Sequence, residues 1–352
     1  MTAGLAELPK ALLHDHLDGG LRVSTVLELA EDVGYEHLPA TEPSALAAWF
    51  HQGESGSLEK YLEAFVHTTA VMQTAPALER VAYEAVLDLA ADGVRYAEVR
   101  FAPTLHVARG LEPTEVLAAV AAGIHAGEAE TGCVTRLIID AMRQMHDSEA
   151  VAKLAVTGRD LGVVGFDLAG PEAGFPNGRY RAACDLVDDA NLPVTVHAGE
   201  GDGTSQIWQA LHQCDAKRIG HGVRIIEDTT VTDGTITDLG PLAAYVRDLR
   251  VPLEVSVLSN LHTGIYPTPE AHPVGLLYRG GFAVTINTDN RLMSGTSMTT
   301  EFQLHADHHG FAIEDFHAVT RTALEAGFGE WSERRRLIGE VDSAYRDLGS
   351  NL

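Results

Sequence analysis

Cysteine, basic residues and long apolar runs are all scarce in this 352-residue chain, and each scarcity excludes a class of protein. Its three cysteines (Cys133, Cys184 and Cys214) form no CxxC pair, which favours a reduced, cytoplasmic setting. Lys and Arg number 25 against 50 Asp and Glu, so nucleic-acid polymers and anionic membrane surfaces are poor partners. The longest apolar run, residues 116–124, is too short to span a bilayer, and residues 1–10 contain no apolar signal core.

One unit recurs along the chain: a short β-branched or apolar run, then a polar turn, then a longer stretch of helical periodicity. Strands that alternate with helices predict a parallel sheet, and eight such units fit a closed (β/α)8 TIM-type barrel. The candidate strands are residues 11–16, 94–101, 135–141, 163–168, 193–197, 218–221, 252–257 and 283–287. We therefore predict an α/β fold with one barrel domain over residues 1–352, a length that a single barrel with insertions can reach.

The interval between the first two candidate strands is longer than one crossover helix needs. Within it, Leu58, Tyr61, Leu62 and Phe65 are spaced i, i+3, i+4, i+7, which predicts one apolar face of a helix. We interpret the segment at about residues 40–90 as a helical insertion that packs on the barrel. The same apolar face is suited to form a lid over the barrel mouth.

Histidines and a carboxylate stand where several candidate strands end. His14 and His16 end the first strand, His197 ends the fifth, and Asp289 follows the eighth. A lone His-x-His is weak evidence with 17 histidines in the chain, but strand C-terminal ends form the face where barrel active sites lie. Three neutral imidazoles and one carboxylate suit a single Zn²⁺ with a position left open for water.

Two further groups beside this predicted zinc site are suited to proton transfer. Glu200 follows His197 by three residues, and a partly desolvated carboxyl there could hold a proton and donate it. His221 ends the sixth strand and could take a proton from the attacking water or orient it. The alternative for His221 is a barrel-core histidine bonded to a backbone carbonyl.

These residues belong to a series of motifs that resembles the adenosine deaminase family over nearly the whole chain. The motifs LLHDHLDGG and NTDNRLMS are similar to the actinobacterial branch of that family. In order, the motifs are LPKALLHDHLDGGLR (8–22), YAEVRFAP (96–103), GFDLAGPE (165–172), VTVHAGE (194–200), RIGHG (218–222), LEVSVLSN (253–260) with Thr263-Gly264, and INTDN (286–290).

The resemblance implies zinc-dependent hydrolytic deamination of adenosine, and of 2′-deoxyadenosine, to inosine and ammonia in purine salvage. It implies that Glu200 donates a proton to purine N1 and that His221 lies beside the attacking water. The zinc ligands that it implies are His14, His16, His197 and Asp289, with one Zn²⁺ per chain.

Substrate contacts also follow from the resemblance. The backbone N–H of Gly170 would meet purine N3, and Asp18 would bond the ribose 5′-hydroxyl. The apolar face of Leu58, Tyr61, Leu62 and Phe65 corresponds to the family's gate. The implied partner is thus a small purine nucleoside, and the oligomeric state stays open.

Two positions depart from the family pattern. Asn290 stands where many members have a second aspartate facing purine N7, which only accepts hydrogen bonds. An Asn amide donates to N7 without needing a proton, so the change is compatible with the same substrate. The family more often has Gln at the position of His262, which leaves the ligands untouched.

Several other functions remain open on the sequence. Within the class, the substrate could be a 5′-substituted adenosine, such as aminodeoxyfutalosine or methylthioadenosine, or free adenine. A two-metal amidohydrolase is disfavoured because the fourth strand, VVGFDLAG, has no lysine to bridge the metals. Zinc deaminases of nucleic-acid polymers use a PCxxC motif that this chain lacks. From another class, the chain could be a catalytically inactive barrel that binds a ligand.

Two smaller expectations concern buried charges. Glu98 and Arg100 lie two apart on the second strand and are predicted to form a structural charge network, because buried charges need partners. Asp167 is predicted to orient groups near Glu200.

Overall fold

The computed structural model describes residues 2–350, whose strands form a closed parallel barrel. The strand bounds are β1 (Lys10–His16), β2 (Val94–Phe101), β3 (Val134–Met142), β4 (Val163–Ala169), β5 (Thr195–Ala198), β6 (Arg218–His221), β7 (Thr229–Thr232), β8 (Thr235–Leu239), β9 (Leu253–Val255) and β10 (Val284–Ile286). One four-stranded sheet has the order β1-β2-β3-β4 and a second has the order β10-β9-β6-β5, and single bridges join these two sheets at Phe166–Val194 and Asp15–Asp289. The eight strands form a ring that confirms the predicted fold class, and β7 and β8 form a separate two-stranded sheet.

Helices surround the barrel, as crossover connections between parallel strands require. Their bounds are α1 (Thr2–Glu7), α2 (Val23–Val33), α3 (Pro43–Phe50), α4 (Leu58–Leu62), α5 (Phe65–Val71), α6 (Ala75–Ala91), α7 (Pro113–Thr131), α8 (Ser148–Thr157), α9 (Arg181–Asp189), α10 (Thr204–Gln213), α11 (Pro241–Asp248), α12 (Val257–His262), α13 (Val274–Arg279), α14 (Arg291–Ser294), α15 (Met298–His309), α16 (Ile313–Ala326) and α17 (Trp331–Asp347). None of the helices in this part of the chain is both long and apolar enough to cross a membrane.

The interval between β1 and β2 is helical, with α3 to α6 spanning most of residues 40–90. The apolar face predicted as one helix is divided between α4 and α5, because the α-helix is interrupted at Glu63 and Ala64. Tyr61 is nevertheless buried, and Phe65 begins α5 on the same side of the barrel mouth.

Two local predictions differ from the structure. The seventh candidate strand was extended to residue 257, but β9 ends at Val255 and Val257 already begins α12. Ser256 caps that helix with an extended backbone (φ −130°, ψ 92°), so the chain leaves the strand conformation before Val257. The hairpin of β7 and β8 was not predicted, although its Asp233-Gly234 turn has the left-handed φ values, 49° and 70°, typical of Asp-Gly hairpins.

The barrel strands are buried on both faces, as expected where helices cover a parallel sheet. The interior is not wholly apolar. Glu98 and Arg100 of β2, Arg218 of β6 and Glu254 of β9 are all fully buried or nearly so. These charges lie beneath the strand ends where the candidate site forms.

Candidate metal and catalytic site

The ends of β1, β5 and β10 bring three imidazoles and a carboxylate to one point. Nε2 of His16 lies 3.2 Å from Nε2 of His197, and Oδ1 of Asp289 lies 3.3 Å from Nε2 of His14 and 3.4 Å from Nε2 of His16. One atom from each of the four residues lies within 4.8 Å of all the others. The four predicted metal ligands therefore converge as a set.

A carboxylate stands behind each of the three imidazoles. Nδ1 of His14 donates to Glu254 at 3.0 Å, Nδ1 of His16 lies 3.4 Å from Asp140, and Nδ1 of His197 lies 2.8 Å from Asp167. A carboxylate in this position fixes the proton on Nδ1 and leaves the lone pair of Nε2 free for a metal.

These carboxylates were only partly anticipated. Asp167 was expected to orient groups near Glu200, and it does contact His197, which lines the same cavity as Glu200. Asp140 and Glu254 were not singled out, although Asp140 lies near the end of a strand, as the histidines do. The rule that selected the histidines would also have selected Asp140.

The donor set fits a tetrahedral cation. At 3.2 Å, Nε2 of His16 and Nε2 of His197 must share either a proton or a cation. Two ligand atoms about 2.0–2.1 Å from one tetrahedral ion are about 3.3 Å apart, which matches the observed spacings. Nε2 of His14 is buried and has no hydrogen-bond partner among the described residues. A second group of donors, Glu200, His221 and Asp289, shares Asp289 with the first.

Two of the predicted ligand histidines, His16 and His197, have pKa values shifted in opposite directions. Burial lowers the pKa of His197 to about 4, so its ring is neutral. Burial also disfavours the charged form of His16, but the hydrogen bond and charge of Asp140 outweigh it and raise the pKa of His16 to about 9. Without a cation, His16 therefore carries a proton at neutral pH.

Two site residues have a strained backbone. His221 has φ 59° and Asp289 has φ 58°, both in the left-handed region that non-glycine residues rarely adopt. The Asp289 N–H donates to the carbonyl of His14 at 2.9 Å, and its carbonyl accepts the N–H of His16 at 2.7 Å. These bonds lock the carboxylate of Asp289 beside the β1 histidines.

Glu200 is held by a loop that a second buried carboxylate organises. Glu172 accepts the backbone N–H groups of Gly199 at 2.7 Å, Glu200 at 3.0 Å and Asp202 at 3.1 Å. Burial, together with the charges of Asp289 and Glu172, raises the pKa of Glu200 well above its ordinary value. Glu172 ends the GFDLAGPE motif, but nothing in its spacing pointed to this role.

His221 lies next to Glu200, with 3.5 Å between its Nε2 and Oε2 of Glu200. Burial lowers the pKa of His221 well below its ordinary value, so the ring is neutral. Its Nδ1 contacts the side chain of Asn260 at 3.0 Å, not the backbone carbonyl of the alternative reading. Asn260 was not identified from the sequence.

A cavity opens above these groups. Every predicted site residue lines it except His14, which lies behind the others, and no Lys or Arg is found among its described lining residues. The lining residues are His16, Asp18, Leu58, Tyr61, Leu62, Phe65, Val66, Thr69, Ala102, Leu105, Asp140, Met142, Gln144, Ala169, Gly170, His197, Glu200, His221, Asp289 and Asn290.

The predicted substrate contacts take distinct positions around this cavity. Burial raises the pKa of Asp18 to about 6. Gly170 has φ 84°, and a Cβ there would also lie 2.5 Å from Oε1 of Gln144, so only glycine fits. A Cβ on Gly19 would lie 2.1 Å from Oδ1 of Asn290, so this glycine makes room for Asn290. The hydroxyl of Tyr61 lies 2.8 Å from that of Ser294, which ties α4 to the barrel.

The chain is similar to known proteins over nearly its whole length. The adenosine deaminase family model matches residues 9–344. An adenosine deaminase of Mycobacterium ulcerans (strain Agy99) is 51% identical over 344 residues, covering 96% of this chain and 95% of that protein. Among solved structures, an adenine deaminase from Arthrobacter aurescens has a TM-score of 0.86 at 26% identity and covers 96% of this chain and 99% of its own. An amidohydrolase from Burkholderia ambifaria with bound Zn has a TM-score of 0.86 at 22% identity, covering 99% of this chain and 93% of its own.

Proposed function

Because this chain belongs to the adenosine deaminase family and is a purine aminohydrolase, we propose that it converts adenosine and 2′-deoxyadenosine to their inosine products and ammonia in purine salvage. The metal would be one Zn²⁺ per chain, held by His14, His16, His197 and Asp289. The observation that carries the proposal is the convergence of these four donors directly beside Glu200. A bound zinc ion would polarise a water molecule and lower its pKa towards about 7.

Glu200 is the proton donor in this proposal. Its raised pKa keeps the carboxyl protonated near neutral pH, and it lines the cavity where the purine would lie. Protonation of purine N1 withdraws electron density from the ring and makes C6 electrophilic. Water oxygen adds to C6, and the tetrahedral C6 then releases the amine. One water proton restores Glu200 and the other leaves with the amine as ammonia.

The other lining residues would orient the nucleoside. The N–H of Gly170 is proposed to meet purine N3, and the Asn290 amide to donate to N7. Asp18 would bond the 5′-hydroxyl of the ribose. The apolar face of Leu58, Tyr61, Leu62 and Phe65 would act as a lid that excludes water from the purine.

The charge of the cavity favours a nucleoside over a nucleotide. Asp18, Asp140 and Asp289 line it besides the protonated Glu200, whereas its described lining includes no cation that could pair with a phosphate. A 5′-phosphate would therefore lie near carboxylates with no positive side chain to pair with it.

We also propose a cytoplasmic location. This part of the proposal rests on the three cysteines, which are all buried and free.

A substrate panel on metal-assayed protein tests this function. We expect the highest kcat/KM for adenosine and 2′-deoxyadenosine, and a value at least ~100-fold lower for adenosine 5′-monophosphate. Methylthioadenosine, aminodeoxyfutalosine and adenine complete the panel, and a higher kcat/KM for any of them would replace the proposed substrate. No turnover of any compound by zinc-loaded protein would favour the inactive binding barrel. Two tightly bound zinc ions per chain would contradict the single-metal site.

A further inference from the structure

Behind His221 lies a chain of buried hydrogen bonds, and a backbone N–H at its far end decides which atom donates in each bond. The N–H of Val274 lies 3.2 Å from Nδ1 of His272 and donates to it. A backbone N–H can only donate, so Nδ1 of His272 accepts, and the proton of this ring lies on Nε2. Nε2 of His272 lies 3.1 Å from Oδ1 of Asn260 and therefore donates to that oxygen.

The orientation of the Asn260 amide then determines which nitrogen of His221 carries the proton. Because its oxygen accepts from His272, the nitrogen of its amide faces Nδ1 of His221, at 3.0 Å. An amide nitrogen donates, so Nδ1 of His221 accepts and the proton of neutral His221 lies on Nε2. His221, Asn260 and His272 are all buried, and the His272 ring packs against Tyr266 with 4.8 Å between centroids.

The other nitrogen of His221 points into the cavity. Nε2 has no hydrogen-bond partner within the described residues, and its nearest polar neighbour is Oε2 of Glu200, 3.5 Å away. A protonated Nε2 in this position is an N–H donor with no lone pair available to accept a proton. His221 in this form would also not be a metal ligand, although it belongs to the second donor group.

We propose that Asn260 and His272 are positioning residues that hold His221 as an Nε2–H donor. His221 then bonds the oxygen that adds to C6, and it does not remove a proton from it. The identity of that oxygen rests on the proposed function, whereas the tautomer of His221 does not. The donor stabilises the charge that develops on the oxygen. The first water proton passes only transiently to a carboxylate of the site, for which Asp289 is placed, before it leaves with the amine as ammonia.

The tautomer is measured directly by ¹⁵N NMR of histidine ring nitrogens in the metal-loaded full chain. The His221 signals are assigned by their loss in His221→Gln. We expect a protonated Nε2 and a bare Nδ1 for both His221 and His272. A proton on Nδ1 of His221 would overturn the inference, whatever the activity. The expected tautomers in a chain that fails to deaminate adenosine would overturn the proposed function and leave the positioning role standing.

Variants of the two positioning residues test the consequence for catalysis. Asn260→Asp replaces the donating nitrogen with an accepting oxygen, so we expect the His221 proton to move to Nδ1. The kcat should fall ~100-fold, the scale of losing one oxyanion donor, with metal content retained and KM for adenosine changed less than ~3-fold. An unchanged tautomer, or a moved proton with unchanged kcat, would refute the proposal.

Two variants of His272 distinguish the effect of its hydrogen bonds from the effect of its packing. His272→Gln keeps an acceptor for Val274 and a donor for Asn260, so kcat should stay within ~3-fold of the original. His272→Leu removes both and should lower kcat ~10-fold or more. His309→Gln is the control, because the His309 ring lies 6.3 Å from that of His272 and has no bond to the chain of donors. Equal losses in the Gln and Leu variants would show that His272 acts only through packing.

Discussion

Glu200 and Asp289 are both buried carboxyl groups of one cavity, yet their pKa values move in opposite directions. Burial by itself acts to raise the pKa of both groups, and for Glu200 the charges of nearby carboxylates add to this effect. For Asp289 the hydrogen bond and charge of His14 outweigh burial and hold its pKa well below the ordinary value. One group therefore keeps its proton for donation, while the other stays an anion suited to binding a cation.

This difference predicts the outcome of Glu200→Gln. The amide cannot donate an acidic proton to N1, so kcat should fall at least ~100-fold. Because Glu200 lies outside the proposed ligand set, zinc content should not change. The matched control is Glu340→Gln, on the exposed face of α17, which should leave kcat unchanged. Near-normal turnover in Glu200→Gln would refute the proton-donor role.

The raised pKa of His16 predicts how metal binding depends on pH. The metal-free site holds a proton on His16 up to a pKa of about 9, and a metal needs the neutral ring. Binding at pH 7 should therefore release about one proton, and affinity for zinc should rise ~10-fold per pH unit between pH 6 and 8. Calorimetric titration of the metal-free protein with zinc in buffers of different ionisation enthalpy measures the proton count. An affinity independent of pH would contradict this assignment.

At the scale of elements, a charge network inside the barrel connects strands that are distant in sequence. Arg100 of β2 contacts Asp167 of β4 at 2.6 Å and Glu254 of β9 at 2.8 Å. Arg218 of β6 contacts Glu254 and Glu98, each at 2.6 Å. The predicted network around Glu98 and Arg100 is confirmed. Because Asp167 and Glu254 also contact His197 and His14, the network would orient the proposed metal ligands from below.

Removing Arg100 should therefore be costly. Arg100→Met leaves Asp167 and Glu254 short of a buried partner, and we expect the free energy of unfolding to fall by about 3–5 kcal/mol. Urea unfolding of metal-loaded protein measures this change. Arg336→Met, which removes an exposed ion pair on α17, should leave the unfolding midpoint almost unchanged. A loss below about 1 kcal/mol in Arg100→Met would show that the network tolerates the missing charge.

The elements show which features a sequence can predict. His14, His16, His197 and Asp289 could be found because each follows a short apolar or β-branched run, and strand ends share one face of a barrel. The division between α4 and α5 could not be found, because apolar spacing stays periodic across the interruption at Glu63 and Ala64. The roles of Asn260 and Glu172 could not be predicted because they depend on contacts with residues of other segments of the chain.

At the scale of the whole molecule, the site depends on the closure of the barrel. His14 and His16 come from β1, while Asp289 follows β10, and the two strands are joined by the single bridge Asp15–Asp289. The opposite join, Phe166–Val194, also has one bridge, but only one of its two strands, β5, carries a predicted ligand, His197. The two joins are therefore a natural pair for comparison.

A cation bound by residues on both sides of the β1–β10 seam would cross-link these two strands. Its removal should therefore destabilise this seam and leave the β4–β5 junction unchanged. We expect the amides of His16 and Asp289, which bond across that seam, to exchange with deuterium faster once a chelator has stripped the metal. The amide of Phe166, which bonds to Pro193 across the other junction, should keep its protection. Uniform loosening at both junctions would mean that the metal stabilises the chain as a whole and has no special hold on this seam.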